Sequence, residues 1–170
     1  MRYFILTFLF SLSAIGQDLP MELNAKGKLE CLRIIDSLDL SSAEIYAKTL
    51  EWATMTFENT EGVLPYEGND QRIRIHGVFS EPMEIIFNRR IGYSIQIDIK
   101  DNKTRMRIYD IVLVNLNNYS YDIEMIVKNG KFRSGVESVN YRKEANKEFS
   151  RIYKSYLEAL SNEAKPNDVW

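Results

Sequence analysis

Residues 91–115, IGYSIQIDIKDNKTRMRIYDIVLVN, contain two alternating apolar and polar stretches joined by a short polar turn. In the first stretch every second residue is apolar, which is the period of a strand with one buried face. The apolar positions are Ile91, Tyr93, Ile95, Ile97 and Ile99. Asp101-Asn102 lies between the stretches, and both residue types tolerate the left-handed backbone of a two-residue type I′ turn. The segment therefore predicts the central antiparallel hairpin of a sheet.

The register of this hairpin follows from the position of the turn. The predicted cross-strand pairs are Lys100 with Lys103, Asp98 with Arg105, Ile97 with Met106, and Ile95 with Ile108. Apolar residues meet on one face, and Asp98 meets Arg105 on the other. The alternation pattern and the position of the turn therefore predict the same register. Beyond Tyr109 the alternation slips by one residue, because Asp110 would point inward while Ile111 and Leu113 pointed outward. This slip predicts a β-bulge near Tyr109-Asp110.

Length and composition indicate one globular domain. The chain has 170 residues, of which 45% are hydrophobic and 27% charged, enough to bury a sizeable core. It carries 22 basic and 24 acidic residues, a formal net charge of −2. An acidic balance argues against nucleic acid as a partner.

The first segment, residues 1–16, resembles a signal peptide. Arg2 precedes the apolar run 4–10, and the small residues of 13–16 favour cleavage before Gln17. The apolar run is too short to span a bilayer, although an uncleaved transmembrane anchor is the alternative. The sequence therefore predicts a periplasmic or secreted protein with no stable membrane span after cleavage.

The mature chain divides into a polar lead (17–27), a single domain (28–163) and a C-terminal tail (164–170). Leu29 to Ile35 is the first predicted strand, and it contains Cys31, the single cysteine of the chain. One cysteine cannot form an intrachain disulfide, and its apolar neighbours predict a buried thiol. A reactive thiol is the alternative.

The first helix has a well-marked start. Ser41 is the predicted N-cap, with Glu44 completing a capping box and with Leu40 and Ile45 placed for a hydrophobic staple. At 100° per residue the predicted buried stripe is Tyr46, Leu50, Ala53 and Phe57, with Ile45 and Trp52 at its edge. This spacing predicts a helix packed on the sheet.

Further strands are predicted around 63–64, over 71–80, at 85–87, and from 119 to 127, where an Asn129-Gly130 turn ends the last one. In the stretch 71–80, Ile73 and Ile75 point one way while Arg74 and His76 point the other. A single histidine without a second metal-ligating residue nearby is expected on the surface.

The last predicted element is a long helix over 141–162, capped by Asn140 and ended before Pro166. Its predicted buried residues are Ala145, Phe149, Ile152, Tyr153, Tyr156, Leu157 and Leu160. Its predicted solvent-exposed residues are Lys147, Arg151, Lys154 and Glu158. The helix is therefore expected to cover the sheet with one apolar side.

Together these elements predict an α+β fold of order β-α-β(4-5)-α, a curved antiparallel sheet with two helices packed on one face. The order, the exported N-terminus, Trp52 and the run 97–105 (IDIKDNKTR) resemble an uncharacterised Bacteroidota family with a TATA-binding-protein-like (TBP-like) fold, catalogued as a domain of unknown function. The resemblance covers about 28–161. The family hairpin has an acidic-glycine-basic-aromatic-basic turn, and here Asn102 stands for the glycine and Thr104 for the aromatic residue.

The resemblance implies a fold and an exported compartment, but it transfers no activity, catalytic residue, cofactor or metal site. Two classes of function remain open. The first is a non-catalytic binding or interaction module, with Trp52, Tyr153 and Tyr156 lining an apolar space between helix and sheet, and a small apolar ligand or an envelope protein as partner. The second is an envelope-acting hydrolase using sheet carboxylates such as Asp98 or Asp110. Hydrolysis of this kind needs two carboxylates held close together.

Overall fold

The computed structural model describes residues 19–57, 63–66, 71–78, 90–114, 120–122, 127–128, 131–132 and 135–161. In chain order the elements are β1 (Glu22–Leu23), β2 (Leu29–Ile35), α1 (Ser42–Thr56), β3 (Val63–Tyr66), β4 (Arg72–Val78), β5 (Arg90–Lys100), β6 (Lys103–Val114), β7 (Ser120–Asp122), β8 (Val127–Lys128), β9 (Lys131–Phe132) and α2 (Val136–Ser161). The predicted signal peptide, the strand at 85–87, the Asn129-Gly130 turn and the C-terminal tail lie outside the described residues.

The main sheet is antiparallel, with the strand order β1-β2-β6-β5-β4-β3, and β7 pairs with β6. Both helices contribute to one core with the inner face of the sheet. The predicted α+β order, with an antiparallel sheet and two helices, is therefore confirmed. Within the stretch predicted as one strand over 119–127, the described residues form part of two short strands, β7 and β8. These strands have different partners, since β8 pairs with β9 in a separate ribbon.

The central hairpin has the predicted register. Lys100 pairs with Lys103, Asp98 with Arg105, Ile97 with Met106, and Ile95 with Ile108. The predicted type I′ turn is wrong, because Asn102 has a positive φ of 59° and Asp101 does not. Contacts with the start of α1 and with the loop before it hold the turn. Asp101 Oδ1 accepts from the backbone N–H of Ser42 at 2.8 Å, and the Asn102 N–H donates to Leu40 O at 2.9 Å.

The predicted β-bulge is confirmed in β6. Gly92 pairs with Val112 and Ser94 pairs with Tyr109, so two residues of β6 oppose the single residue Tyr93. Asp110 is exposed and has a φ of 49°, which an aspartate tolerates better than most residues. Because of the extra residue, Ile111 points into the core.

Helix α1 has the predicted capping box at Ser41 and Glu44. Its buried face is rotated from the predicted stripe, because the fully buried residues are Ile45, Thr49, Trp52 and Ala53, while Tyr46, Leu50 and Phe57 pack at the margin. The sequence pattern missed Thr49 because it is polar. Its hydroxyl donates to Ile45 O at 2.6 Å, which satisfies it within the core.

Helix α2 begins five residues before the predicted start at Tyr141. Gly135 O accepts the backbone N–H of Val139 at 3.0 Å, so the first turn forms before Asn140, the predicted cap. Its fully buried residues are Tyr141, Ala145, Phe149, Ser150, Ile152, Tyr156 and Leu160. The four predicted solvent-facing residues of this helix are exposed as expected.

The segment predicted as a polar lead is part of the domain. Leu19 and Met21 are buried, and β1 pairs with the start of β2. The Leu19 N–H donates to Ser150 Oγ at 2.8 Å, and the Met21 N–H donates to Asn146 Oδ1 at 3.2 Å. The domain therefore begins before residue 28, because alternate apolar residues of this short stretch reach the core beside α2.

Candidate functional site

The sheet face opposite the two helices is called the open face here. Along β2, β4, β5 and β6 its outward or exposed positions carry seven basic and three acidic residues. The basic residues are Arg72, Arg74, Arg90, Lys100, Lys103, Arg105 and Arg107, and the acidic ones are Glu30, Asp98 and the bulge residue Asp110. In a chain whose formal net charge is −2, this is a marked concentration of positive charge on one surface.

Asp98 lies at the centre of a charge cluster on the open face. Its Oδ2 accepts from Arg105 Nη2 at 2.7 Å, and its Oδ1 accepts from Arg72 Nε and from Gln96 Nε2, the latter at 3.0 Å. Burial alone would raise the pKa of this carboxyl, but the hydrogen bonds from Arg105, Arg72 and Gln96 outweigh burial and lower the pKa. Asp98 is therefore held as a carboxylate.

A second charge pair links β2 to β6. Arg107 Nη2 lies 2.7 Å from Glu30 Oε2, and Asn24 Nδ2 donates to the same oxygen at 3.2 Å. The Arg107 guanidinium also lies 4.9 Å from the centre of the Tyr109 ring, a cation–π distance. These contacts hold Arg107 in one position on the open face.

An open cleft of about 340 Å³ adjoins this second pair. Along one edge of β6, β2 pairs with 104–108 and β7 pairs with 112–114, and the cleft lies where the two neighbours separate. The bulge residue Asp110 is at its centre. The lining residues are Asn24, Lys26, Lys28, Leu29, Glu30, Arg107, Tyr109, Asp110, Ile111 and Val112. The cleft is thus a mixed polar and apolar extension of the open face.

Exposed aliphatic side chains border the arginines. Ile34 is 63% exposed and is paired with Arg105, and Leu32 is 43% exposed and is paired with Arg107. Val78 on β4 is also exposed. The open face therefore combines guanidinium groups with some apolar surface.

The carboxylates proposed for hydrolysis are not brought together. Asp98 is paired with Arg105, and Asp110 lies five residues further along β6. At about 3.3 Å per residue this separates the two carboxylates by roughly 15 Å. Two carboxylates that act on one glycosidic bond are held within about 10 Å of each other.

His76 and Cys31 lie where the sequence predicted. His76 is exposed, and its Nδ1 lies 2.9 Å from Ser94 Oγ. Cys31 is buried, with its Sγ 3.7 Å from Leu19 O, and burial raises the thiol pKa to about 12. A thiol with so high a pKa is unreactive at neutral pH.

The aromatic residues predicted to line an apolar space pack against one another instead. The Trp52 and Tyr156 rings lie 4.8 Å apart, and Tyr156 is fully buried. The Tyr156 hydroxyl lies 2.9 Å from Thr49 Oγ1 and 3.3 Å from Thr104 Oγ1, which connects α2 to α1 and β6. Tyr153 is half-buried against the same core. For Trp52 and Tyr156, packing is therefore the role that their contacts support.

Sequence reasoning missed the convergence of Glu30 and Arg72 with the hairpin residues Arg107 and Asp98. Their partners come from strands distant in sequence, and nothing local reveals such pairing. The signal that could have indicated a basic surface is the alternation of arginine with apolar residues at 72–75 and at 105–108.

Among the described residues, no group of three or more histidine, cysteine, aspartate or glutamate side chains is arranged to hold a metal ion. Neither helix in this part of the chain combines the length and the apolar character that a membrane crossing requires.

The architecture defines a TBP-like α+β domain with a helix-covered face and an open face. No protein-family model matches the sequence, and no curated protein matches it. Two crystal structures are similar in fold. A TBP-like protein from Parabacteroides distasonis ATCC 8503 has a TM-score of 0.68 at 18% identity, over 82% of this chain and 96% of that one. A DUF4468 family protein from Bacteroides ovatus ATCC 8483 has a TM-score of 0.63 at 12% identity, over 86% of this chain and 92% of that one.

These similarities confirm the predicted TBP-like fold and its resemblance to Bacteroidota proteins of unknown function. At such low identity they establish the fold, and a shared fold does not fix a function.

Proposed function

We propose that this chain is a non-catalytic binding module that acts in the periplasm or outside the cell, and that its partner is a protein of the cell envelope. The observation that carries this proposal is the state of the charges on the open face. Asp98 and Glu30 are both engaged by arginines, and the pKa of Asp98 is lowered. Such a face offers fixed charges for recognition rather than a group poised to transfer a proton.

The same geometry weighs against the hydrolase alternative. A carboxyl that acts as a general acid at neutral pH needs a raised pKa, and arginine contacts act on Asp98 in the opposite direction. Asp98 and Asp110 are also too far apart to act on the same substrate bond.

The packing of the core favours a protein partner over a small apolar ligand. Trp52 and Tyr156 are buried by each other and by the sheet, so they offer no surface to a ligand. The exposed apolar residues lie on the open face, beside arginines, where a protein surface can reach them.

Native mass spectrometry of the protein isolated from its own envelope fraction tests this proposal. We expect a complex whose mass exceeds that of the chain by the mass of a second protein. A chain carrying only a small apolar molecule would contradict a protein partner. Release of soluble fragments from purified cell walls, lost in Asp98→Asn or Asp110→Asn, would contradict the non-catalytic role.

A further inference from the structure

We infer that the open face is a docking surface for an extended acidic segment of a partner protein, and that this segment also carries aliphatic side chains. This docking role rests on the proposed function and adds to it the surface and the chemistry of the partner.

Charge complementarity selects an acidic partner. The open face presents Lys100, Lys103, Arg105 and Arg107. Its acids are Asp98 and Glu30, each engaged by an arginine of the same face, and the exposed bulge residue Asp110. A partner that brings carboxylates to this face therefore gains favourable electrostatic contacts.

Arg105 and Arg107 are the residues best placed to receive carboxylates. Each is held on one side by an acid, Asp98 or Glu30, and their side chains remain 51% and 39% exposed. A guanidinium group has five N–H donors in a fixed plane, so an arginine that is anchored through one edge still presents donors to a second carboxylate. The anchoring reduces the side-chain entropy that binding would otherwise cost.

The spacing of the exposed side chains fits an extended polypeptide. Arg105 and Arg107 are two residues apart on β6, and their paired neighbours Ile34 and Leu32 are two residues apart on β2. Side chains on one side of any extended segment recur at the same interval of about 7 Å. A segment that lies along the strands, with acidic and aliphatic side chains alternating on one side, can therefore place a carboxylate over one arginine and an aliphatic group about 7 Å further along, beside Leu32 or Ile34.

The exposed aliphatic residues favour a polypeptide over an anionic glycan. A sulfated or phosphorylated sugar chain would satisfy the arginines, but it has no apolar side chains to cover Leu32 and Ile34. Covering these residues removes apolar surface from water, which adds affinity only for a partner with apolar groups of its own.

The probe for the test is a fluorescein-labelled peptide of about 12 residues with the repeat Glu-Ser-Val-Ser, which in extended form shows glutamate and valine on one side. The control peptide has glutamine in place of glutamate. Fluorescence anisotropy with the full mature chain should show binding of the glutamate peptide that weakens with added salt, and little binding of the glutamine peptide.

Two sets of variants locate the binding surface. The double variant Arg105→Gln/Arg107→Gln should weaken binding about tenfold. The matched control Lys147→Gln/Lys154→Gln removes the same charge from the exposed side of α2 and should change binding less than about twofold, because it lies away from the open face. Leu32→Thr/Ile34→Thr, on an exposed strand surface, should weaken binding about fivefold. Circular dichroism confirms that each variant is folded.

Several results would overturn the docking role. One is absence of binding to the glutamate peptide at about 1 mM. A second is equal weakening by the α2 control variant, which would indicate unspecific charge attraction. A third is tighter binding of heparin than of the peptide, with no effect of Leu32→Thr/Ile34→Thr, which would identify a polyanion surface. Failure of the peptide alongside a protein complex in native mass spectrometry would refute the docking surface while leaving the proposed function intact.

Discussion

Asn102 occupies the one position of the central turn with left-handed backbone, at a φ of 59°. Glycine adopts this conformation freely and a β-branched residue resists it. Asn102→Gly should therefore leave stability nearly unchanged, while Asn102→Val should lower the free energy of unfolding by about 1 to 2 kcal/mol. Urea unfolding of the two variants measures the contrast. Equal stability of both would mean that position 102 does not hold a positive φ in solution.

Tyr156 contributes both a buried ring and a buried hydroxyl. Tyr156→Ala should lower the free energy of unfolding by about 3 kcal/mol, because it leaves a cavity between α1, α2 and the sheet. Tyr156→Phe keeps the ring and should cost about 1 kcal/mol, since Thr49 and Thr104 retain their bonds to Ile45 O and Asp98 O. Thermal or urea unfolding ranks the variants. An alanine variant as stable as the phenylalanine variant would place the ring in solvent.

Asp98 makes stability depend on pH in a definite direction. Its pKa is lower in the folded protein than in the unfolded chain, so its contribution is present at neutral pH and is lost as pH falls through the lowered folded value. The wild type should therefore exceed Asp98→Asn in unfolding free energy at pH 7. This difference should shrink as pH falls below the ordinary aspartate pKa of about 3.9. Urea titrations at several pH values test the trend, and a difference independent of pH would contradict it.

At the scale of elements, the bulge in β6 decides which residues enter the core. Removing Asp110 would make the alternation continuous: Ile111 would follow the outward Tyr109 directly, and both Ile111 and Leu113 would still point into the core. We therefore expect the deletion variant to keep a cooperative urea transition, because no buried side chain changes face. The control Asp110→Gly keeps the extra residue and accepts the positive φ, so it should remain close to the wild type. Loss of cooperative unfolding in the deletion variant, but not in Asp110→Gly, would contradict this and would show that the fold requires the bulge itself.

The accuracy of sequence reasoning varied among the elements for a physical reason. The hairpin and the bulge were predicted because alternation and turn residues are local properties. The rotation of α1 was missed because Thr49 is buried through a bond to Tyr156, which lies 107 residues away. The start of α2 at Val136 was missed because Asn140 is a residue type that often caps the N-terminus of a helix, which placed the predicted start at Tyr141.

The candidate site was less predictable than the fold. The pairing of Asp98 with Arg105 follows from the hairpin, but Arg72 reaches Asp98 only through the β4–β5 pairing. The pairing of Glu30 with Arg107 likewise needs β2 beside β6. A sequence shows which residues share a strand face, but it does not show which strands become neighbours.

At the scale of the whole molecule, the export prediction remains to be tested. N-terminal sequencing of protein taken from the cell envelope should find Gln17 or a residue within a few positions of it, because the small residues of 13–16 form the expected cleavage site. An intact Met1 on protein from the soluble cytosol would contradict export.

The hydroxyl chain formed by Thr49, Tyr156 and Thr104 also governs how the layers align. Aliphatic contacts are non-directional, so an apolar core by itself discriminates weakly between neighbouring alignments of a helix on a sheet. Sliding α2 by one turn would move the Tyr156 oxygen about 5.4 Å from both threonines. A buried hydroxyl left without a partner costs about 1 to 3 kcal/mol. The small polar link thus penalises misaligned packings of α2, which gives a largely apolar interior a single preferred arrangement.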